Sequence, residues 1–150
     1  MKRRLAFLVA LAVPVAGLAA SPAALAGPAV SKTTLTGAEE APNPGDPDAT
    51  GVASLKLNQG QGTVCFKISF SDIDGTVTAA HIHEAPPGEA GPVVVELFSG
   101  SFDGTESVSG CAEDLSRAVV KDIRKNPEDY YVNVHSTAFP SGAVRGQLGD

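Results

Sequence analysis

The residues of this chain best suited to chemistry are its three histidines, which lie in two short segments of strand-like pattern. His81 and His83 are separated by one residue, and His135 ends the second segment. Because successive side chains of a strand point to opposite faces, His81 and His83 project from the same face. Imidazole is the commonest metal ligand among side chains. If the fold brings His135 beside this pair, the chain has a three-nitrogen site suited to copper or zinc.

A competing interpretation of the histidines is structural. In it, His81 and His83 lie at a strand end and hydrogen-bond to the backbone of a neighbouring loop. The apolar–polar alternation of residues 131–135 places the two valines toward the core. His135 then lies on the opposite face, which we expect to be the more exposed one.

Arg145 is the basic residue that could serve such a site, since it lies among small residues near the end of the chain. One interpretation is that it steers an anion toward the histidines. The alternative, which we favour, is that it pairs with one of the many acids. Ser136 follows His135 directly, but adjacent strand residues face opposite ways, so we exclude a catalytic serine–histidine pair.

Acidic residues form two further groups that calcium could use. They are Glu39, Glu40, Asp46 and Asp48 in one loop, and Asp72 and Asp74 in a turn. Neither group has the spacing of an EF-hand, and the turn-forming and solvated roles of such acids explain both groups. We therefore favour the histidines as the metal site.

The beginning of the chain has the pattern of a secretory signal peptide. Three basic residues at 2–4 precede an apolar stretch at 5–20, and Ala24-Leu25-Ala26 fits the cleavage pattern. Pro14 and Gly17 interrupt the apolar stretch, which is shorter than a spanning helix requires. We predict cleavage after residue 26, a single secreted domain at 27–150, and no transmembrane segment in it.

Removal of that leader makes the chain more acidic. The leader contains three of the 11 basic residues and none of the 17 acidic ones, so residues 27–150 carry a net charge of −9. A surface that binds nucleic acid or anionic lipid needs clusters of lysine and arginine, and none is visible. The charge therefore excludes nucleic acid as a partner.

The two cysteines, Cys65 and Cys111, are predicted to form a disulfide because export places them in an oxidising compartment. Two buried free thiols are the alternative. The bridge would join residues separated by 46 positions and would stabilise the fold by roughly 3–4 kcal/mol in the chain-entropy model. Neither cysteine has a histidine near it in sequence, so nothing favours a thiol nucleophile.

Short strands bounded by glycine, proline, aspartate and asparagine dominate the predicted elements. Seven strands are predicted, at 33–36, 52–57, 63–70, 77–83, 92–98, 130–135 and 143–148, with one helix at 116–125. The nearly continuous apolar run of the strand at 92–98 indicates burial on both of its faces. The turn at 58–62 makes the second and third strands a hairpin. This order predicts an all-β, antiparallel Greek-key sandwich of the immunoglobulin-like or superoxide-dismutase-like kind. A small closed barrel is the alternative.

The order of five segments resembles the CHRD domain, a module repeated in the secreted antagonist chordin and found singly in bacterial exported proteins. The segments lie at 35–42, 81–83, 91–95, 131–135 and 145–148. The resemblance implies an exported module with no general enzymatic activity. We therefore expect a secreted, non-catalytic domain that binds a protein or envelope ligand, or associates with the extracellular matrix.

The His-x-His strand and the later histidine are also similar, more faintly, to the layout of copper/zinc superoxide dismutases. That similarity implies that His81, His83 and His135 bind copper and that Arg145 guides the anion. The chain departs from the pattern, since it lacks a fourth copper histidine and a zinc loop, and Cys65 precedes the histidine pair. The alternative function is therefore a copper- or zinc-binding redox protein with a degenerate three-histidine site.

Overall fold

The computed structural model describes residues 29–149 of the chain, which contain eight strands and one short α-helix. In chain order they are β1 (Ala29–Thr36), β2 (Thr50–Asn58), β3 (Thr63–Ser71), β4 (Val77–Glu84), β5 (Val93–Phe102), β6 (Ser107–Ala112), α1 (Arg117–Lys125), β7 (Tyr130–Ser136) and β8 (Val144–Gln147). The predicted helix is confirmed as α1. The predicted signal peptide, residues 1–26, lies outside the described residues.

All eight strands belong to one antiparallel sheet with the order β5-β4-β7-β8-β1-β2-β3-β6. β3 pairs with β6 rather than with β4, and β4 pairs with β7. The connections from β3 to β4 and from β6 to β7 therefore join strands that are not neighbours in the sheet, as in a Greek key. The end strands β5 and β6 are joined by the turn at 103–106 and contact each other, which nearly closes the sheet. The all-β prediction is confirmed, but a nearly closed single sheet replaces the two separate sheets of a sandwich.

The core lies on the inner face of this sheet, because the strands alternate between buried and exposed residues. β2 and β3 show the alternation most clearly and pair as the predicted hairpin. Helix α1 adds Val120 and Ile123, both fully buried. The apolar side chains that are almost completely buried in the core include Leu35, Leu55, Ile68, Ile82, Val132 and Val134.

Two predictions about the strands were wrong. The eighth strand, β6, was missed because its short sequence of small residues carries no apolar alternation. The apolar run of β5 was expected to be buried on both faces. Instead β5 ends the sheet order, and Val93 is 51% exposed.

The predicted disulfide is confirmed, since Cys65 on β3 bonds to Cys111 on β6. The two residues lie directly opposite each other in the β3–β6 ladder. The bridge therefore ties the end strand β6 to its only ladder partner among the described residues. Across residues 29–149, none of the helices has the length and apolar character needed to cross a membrane.

Candidate metal centre

The outer face of three adjacent strands, β4, β7 and β8, brings the histidines together. The antiparallel register places His81 opposite Asn133, and Asn133 opposite Arg145. His135 lies two positions beyond Asn133 on β7 and therefore shares its face. We call this outer face the polar grid, and it consists of His81, His83, Tyr131, Asn133, His135, Arg145 and Gln147.

The polar grid is buried, which corrects the expectation that this face is the more exposed one. Asn133 is 2% exposed and Arg145 is 1% exposed, while His81 and His135 are partly buried. The loop at 85–91 and the turn at 127–129 cover part of the grid, because Gln147 Nε2 donates to the Ala85 carbonyl at 2.8 Å and to the Glu128 carbonyl at 2.7 Å. The grid is therefore covered around Gln147, while His81 and His135 remain partly exposed.

The three imidazoles converge closely enough to share one ion. One nitrogen of each of His81, His83 and His135 lies within 4.8 Å of the corresponding nitrogen of the other two. His81 Nδ1 and His135 Nε2 are 3.0 Å apart. Donors bonded to one metal at about 2.0–2.1 Å lie roughly 3–3.5 Å apart, so small side-chain rotations suffice. In residues 29–149 no other group of three histidines, cysteines or acids is as close.

Backbone carbonyls fix which ring nitrogens carry protons. His83 Nδ1 lies 2.8 Å from the Gly91 carbonyl, and His135 Nδ1 lies 3.1 Å from the Pro140 carbonyl. A carbonyl oxygen only accepts, so in the neutral rings both Nδ1 atoms carry the proton and both Nε2 atoms present a lone pair. His83 Nε2 is buried and has no hydrogen-bond partner. This arrangement, with the distal N–H held by a carbonyl, is typical of metal-binding histidine.

Burial keeps His81 and His135 neutral. Burial, with a smaller contribution from the neighbouring His81, lowers the pKa of His135 to about 4, and the hydrogen bond to Pro140 opposes the shift. Burial also lowers the pKa of His81, with His83 adding to the effect and Glu96 opposing it. Protons therefore compete weakly with a metal for these lone pairs at neutral pH.

Arg145 is held within the protein rather than directed to solvent. Its guanidinium donates to the carbonyls of Glu89 at 2.6 Å and Pro86 at 3.0 Å, and to Gln147 Oε1 at 3.2 Å. These acceptors are carbonyl and amide oxygens, so the favoured pairing with an acid is replaced by neutral partners. A guanidinium that is 1% exposed has no open path to anions in solution, and the contacts give anion steering no support.

The acids considered for calcium lie outside the polar grid, and a hydrogen bond joins two of them, Asp46 and Asp74. The carboxylate of Asp46, which is fully buried, accepts a hydrogen bond from the backbone nitrogen of Asp74 at 2.7 Å. Ser136 Oγ donates to the Asp74 carbonyl at 2.7 Å and accepts from Phe139 nitrogen at 3.1 Å. These residues thus fasten loops, and Ser136 is not paired with an imidazole.

The comparison with known families decides the classification. The family model of the CHRD domain matches residues 31–148. The chain belongs to the CHRD domain family. The match runs from β1 to the residue after β8, so this CHRD domain includes the whole polar grid. No curated protein and no solved structure gives a significant match.

Sequence reasoning identified the histidines of this CHRD domain but not the residues between and beside them. The strand pattern places Tyr131 and Asn133 on the same face as His135 but gives them no role, and Gln147 was missed. The sequence did contain a sign of these residues, because β7 and β8 each alternate small or apolar residues with large polar ones. Both strands are buried at nearly every position, which is unusual for such a pattern.

Proposed function

We propose that this CHRD domain is a secreted, non-catalytic module that binds one copper or zinc ion through His81, His83 and His135. The observation that carries the proposal is the buried, unpartnered Nε2 of His83 beside two further imidazoles. Leaving a buried acceptor without a partner costs free energy, and a metal ion would supply that partner. Three neutral imidazoles are a ligand set for copper or zinc, whereas calcium and magnesium prefer oxygen.

Two observations support secretion. The sequence pattern of residues 1–26 is typical of a signal peptide, and the Cys65–Cys111 disulfide is typical of an oxidising compartment. Net negative charge on the rest of the chain also favours the approach of metal cations over anions. We therefore place metal binding outside the cytoplasm, where the module meets its protein, matrix or envelope ligand.

Metal titration tests the proposal. The protein, expressed without residues 1–26 and without an affinity tag, is titrated with Cu²⁺ and with Zn²⁺ at pH 7. We expect one ion per chain and a Kd below about 10 μM for at least one of the two metals. The double variant His81→Ala/His83→Ala and the single variant His135→Ala should each weaken binding at least tenfold, because each removes a ligand.

The matched control is Asp72→Asn, which removes an exposed carboxylate from a turn outside the polar grid. We expect it to bind metal like the wild type. Circular dichroism and urea unfolding verify that each variant is folded. Binding weaker than 10 μM for both metals, or equal binding by the double histidine variant, would contradict the proposal.

A redox function is the second candidate, and the number of ligands favours it. Three protein ligands leave a coordination position open, which is typical of catalytic rather than structural sites. His81 and His135 are also partly exposed, so a small molecule has access to the site. Superoxide turnover by the copper-loaded protein, lost in the double histidine variant, would favour this candidate. Copper binding without turnover favours the non-catalytic module.

A further inference from the structure

We infer that Arg145 is a positioning residue for the metal centre, acting on His83 through a stacked ring and a clamped loop. The inference rests on the proposed metal-binding function and assigns to Arg145 a role other than anion steering. Arg145 and His83 lie on different strands, β8 and β4, with β7 between them. Two routes connect them, a stack of planar groups and a clamped loop.

The first route is a stack of three planar groups. The Arg145 guanidinium lies 3.4 Å from the centroid of the Tyr131 ring. The Tyr131 ring in turn stacks on the His83 imidazole, with 4.8 Å between centroids and 8° between planes. Such stacking restricts the tilt of the imidazole, and a desolvated guanidinium is attracted to the face of an aromatic ring. Lysine lacks the planar group that completes the stack.

The second route is the loop at 85–91, which Arg145 clamps to the grid. Its guanidinium holds the Pro86 and Glu89 carbonyls, as described above. At the end of the same loop, Gly91 donates its backbone N–H to the Tyr131 hydroxyl at 3.3 Å. The Gly91 carbonyl then accepts from His83 Nδ1 at 2.8 Å. The carbonyl that fixes the His83 proton is therefore held in place from both ends of the loop.

Gly91 allows the loop to pack closely against the end of β4. A Cβ on Gly91 would lie 1.9 Å from the Glu84 carbonyl oxygen, so the backbone here packs directly against the end of β4. Arg145 thus fixes the loop, the loop fixes the Gly91 carbonyl, and that carbonyl fixes the tautomer of His83. The consequence is that Nε2 of His83, its buried unpartnered nitrogen, keeps its lone pair available as a ligand.

The test compares Arg145→Lys with Arg117→Lys, a matched control at an exposed position on α1. Long-range ¹H–¹⁵N NMR spectra of the metal-free protein report the tautomer of each histidine, and titration with Zn²⁺ and Cu²⁺ reports affinity. We expect Arg145→Lys to convert His83 to a mixture of tautomers and to weaken metal binding 10- to 100-fold. His135, whose Nδ1 is held by Pro140, should keep its tautomer and serves as an internal control.

If Arg145→Lys does not fold, Tyr131→Phe replaces it, because this variant removes the hydroxyl that holds Gly91 and keeps the stack. We expect it to weaken metal binding three- to tenfold and to shift the His83 tautomer in the same direction. A folded Arg145→Lys with an unchanged His83 tautomer and an affinity within threefold of wild type would overturn the inference and leave the metal site standing. A wild type that binds neither metal would overturn the proposed function instead.

Discussion

At the scale of single residues, the site depends on two hydrogen bonds, in which His83 and His135 each donate a ring N–H to a backbone carbonyl. With the protons of His83 and His135 held on Nδ1, the contact between His135 Nε2 and His81 Nδ1 requires His81 to donate. A metal at His81 Nδ1 would displace this proton to Nε2. A metal bound at that atom would therefore change the tautomer of His81 but not those of His83 and His135.

Glu40 is a second residue whose ionisation affects the fold. Burial raises the pKa of its carboxyl from 4.5 to about 7, while the charge of Arg145 and the backbone N–H of Ala41 oppose the shift. One carboxylate oxygen, Oε1, is buried without a hydrogen-bond partner. The folded protein thus prefers the protonated form of Glu40.

The sign of the resulting pH dependence follows from linkage. A raised pKa in the folded state gives a stabilisation that is complete below pH 4.5 and is lost as pH rises through about 7. We expect Glu40→Gln, which cannot ionise, to be more stable than wild type at pH 8 by at most about 3 kcal/mol. The advantage should shrink toward pH 4.5.

Urea unfolding at pH 4.5, 6 and 8 measures this difference, and Glu39→Gln is the control because Glu39 is the neighbouring, exposed acid. The control should show no change in the difference between pH 4.5 and pH 8. An advantage of Glu40→Gln that is equal at all three pH values would show that the carboxyl is not destabilised by ionisation.

At the scale of elements, the pairing of β4 with β7 creates the site. The sequence predicted that His81 and His83 share a face, because this follows from the two-residue repeat of one strand. Their meeting with His135 depends on the ladder between β4 and β7, which brings together residues 54 positions apart, and strand periodicity does not specify a partner. The shared face of His81 and His83 was therefore predictable, whereas the approach of His135 to them was not.

The same distinction explains what was right and wrong in the fold. The β2–β3 hairpin and α1 were predictable because a short turn and a three- to four-residue repeat are local signals. The burial of the grid depends instead on the loop at 85–91, whose contacts with Arg145 come from a distant strand. The exposure of Val93 likewise depends on the order of strands in the sheet, because that order places β5 at one end.

The disulfide stabilises one element without serving the site. Cys65 and Cys111 join β3 to β6, on strands that contribute no residue to the polar grid. We expect the variant Cys65→Ala/Cys111→Ala to lose roughly 3–4 kcal/mol of unfolding free energy, because the unfolded chain is no longer constrained across a separation of 46 residues. Its affinity for copper and zinc should remain within threefold of wild type.

Urea unfolding and metal titration of the same preparation check both halves of this prediction. Wild-type protein without reductant is the reference, and hydrogen exchange of β6 amides shows where the protection is lost. A loss of unfolding free energy below about 1 kcal/mol would contradict the stabilising role, since even short closed loops contribute more in the chain-entropy model.

At the scale of the whole molecule, one nearly closed sheet separates the apolar core from the polar grid. Its inner face holds the apolar core, and one part of its outer face holds the polar grid under its loops. The core supplies the frame, and partial burial of the outer face lowers the pKa of His81 and of His135. This arrangement permits a metal centre on a CHRD domain without a separate metal-binding insertion.

X-ray absorption spectroscopy of the zinc-loaded, tag-free protein at one equivalent tests the central claim most directly. We predict three imidazole nitrogens at about 2.0–2.1 Å, with the multiple scattering of the rings, and a fourth light atom. The spectrum should lose its imidazole features in His81→Ala/His83→Ala. A shell of oxygens without imidazole scattering, or an identical spectrum from the double variant, would contradict a metal centre built from the three histidines.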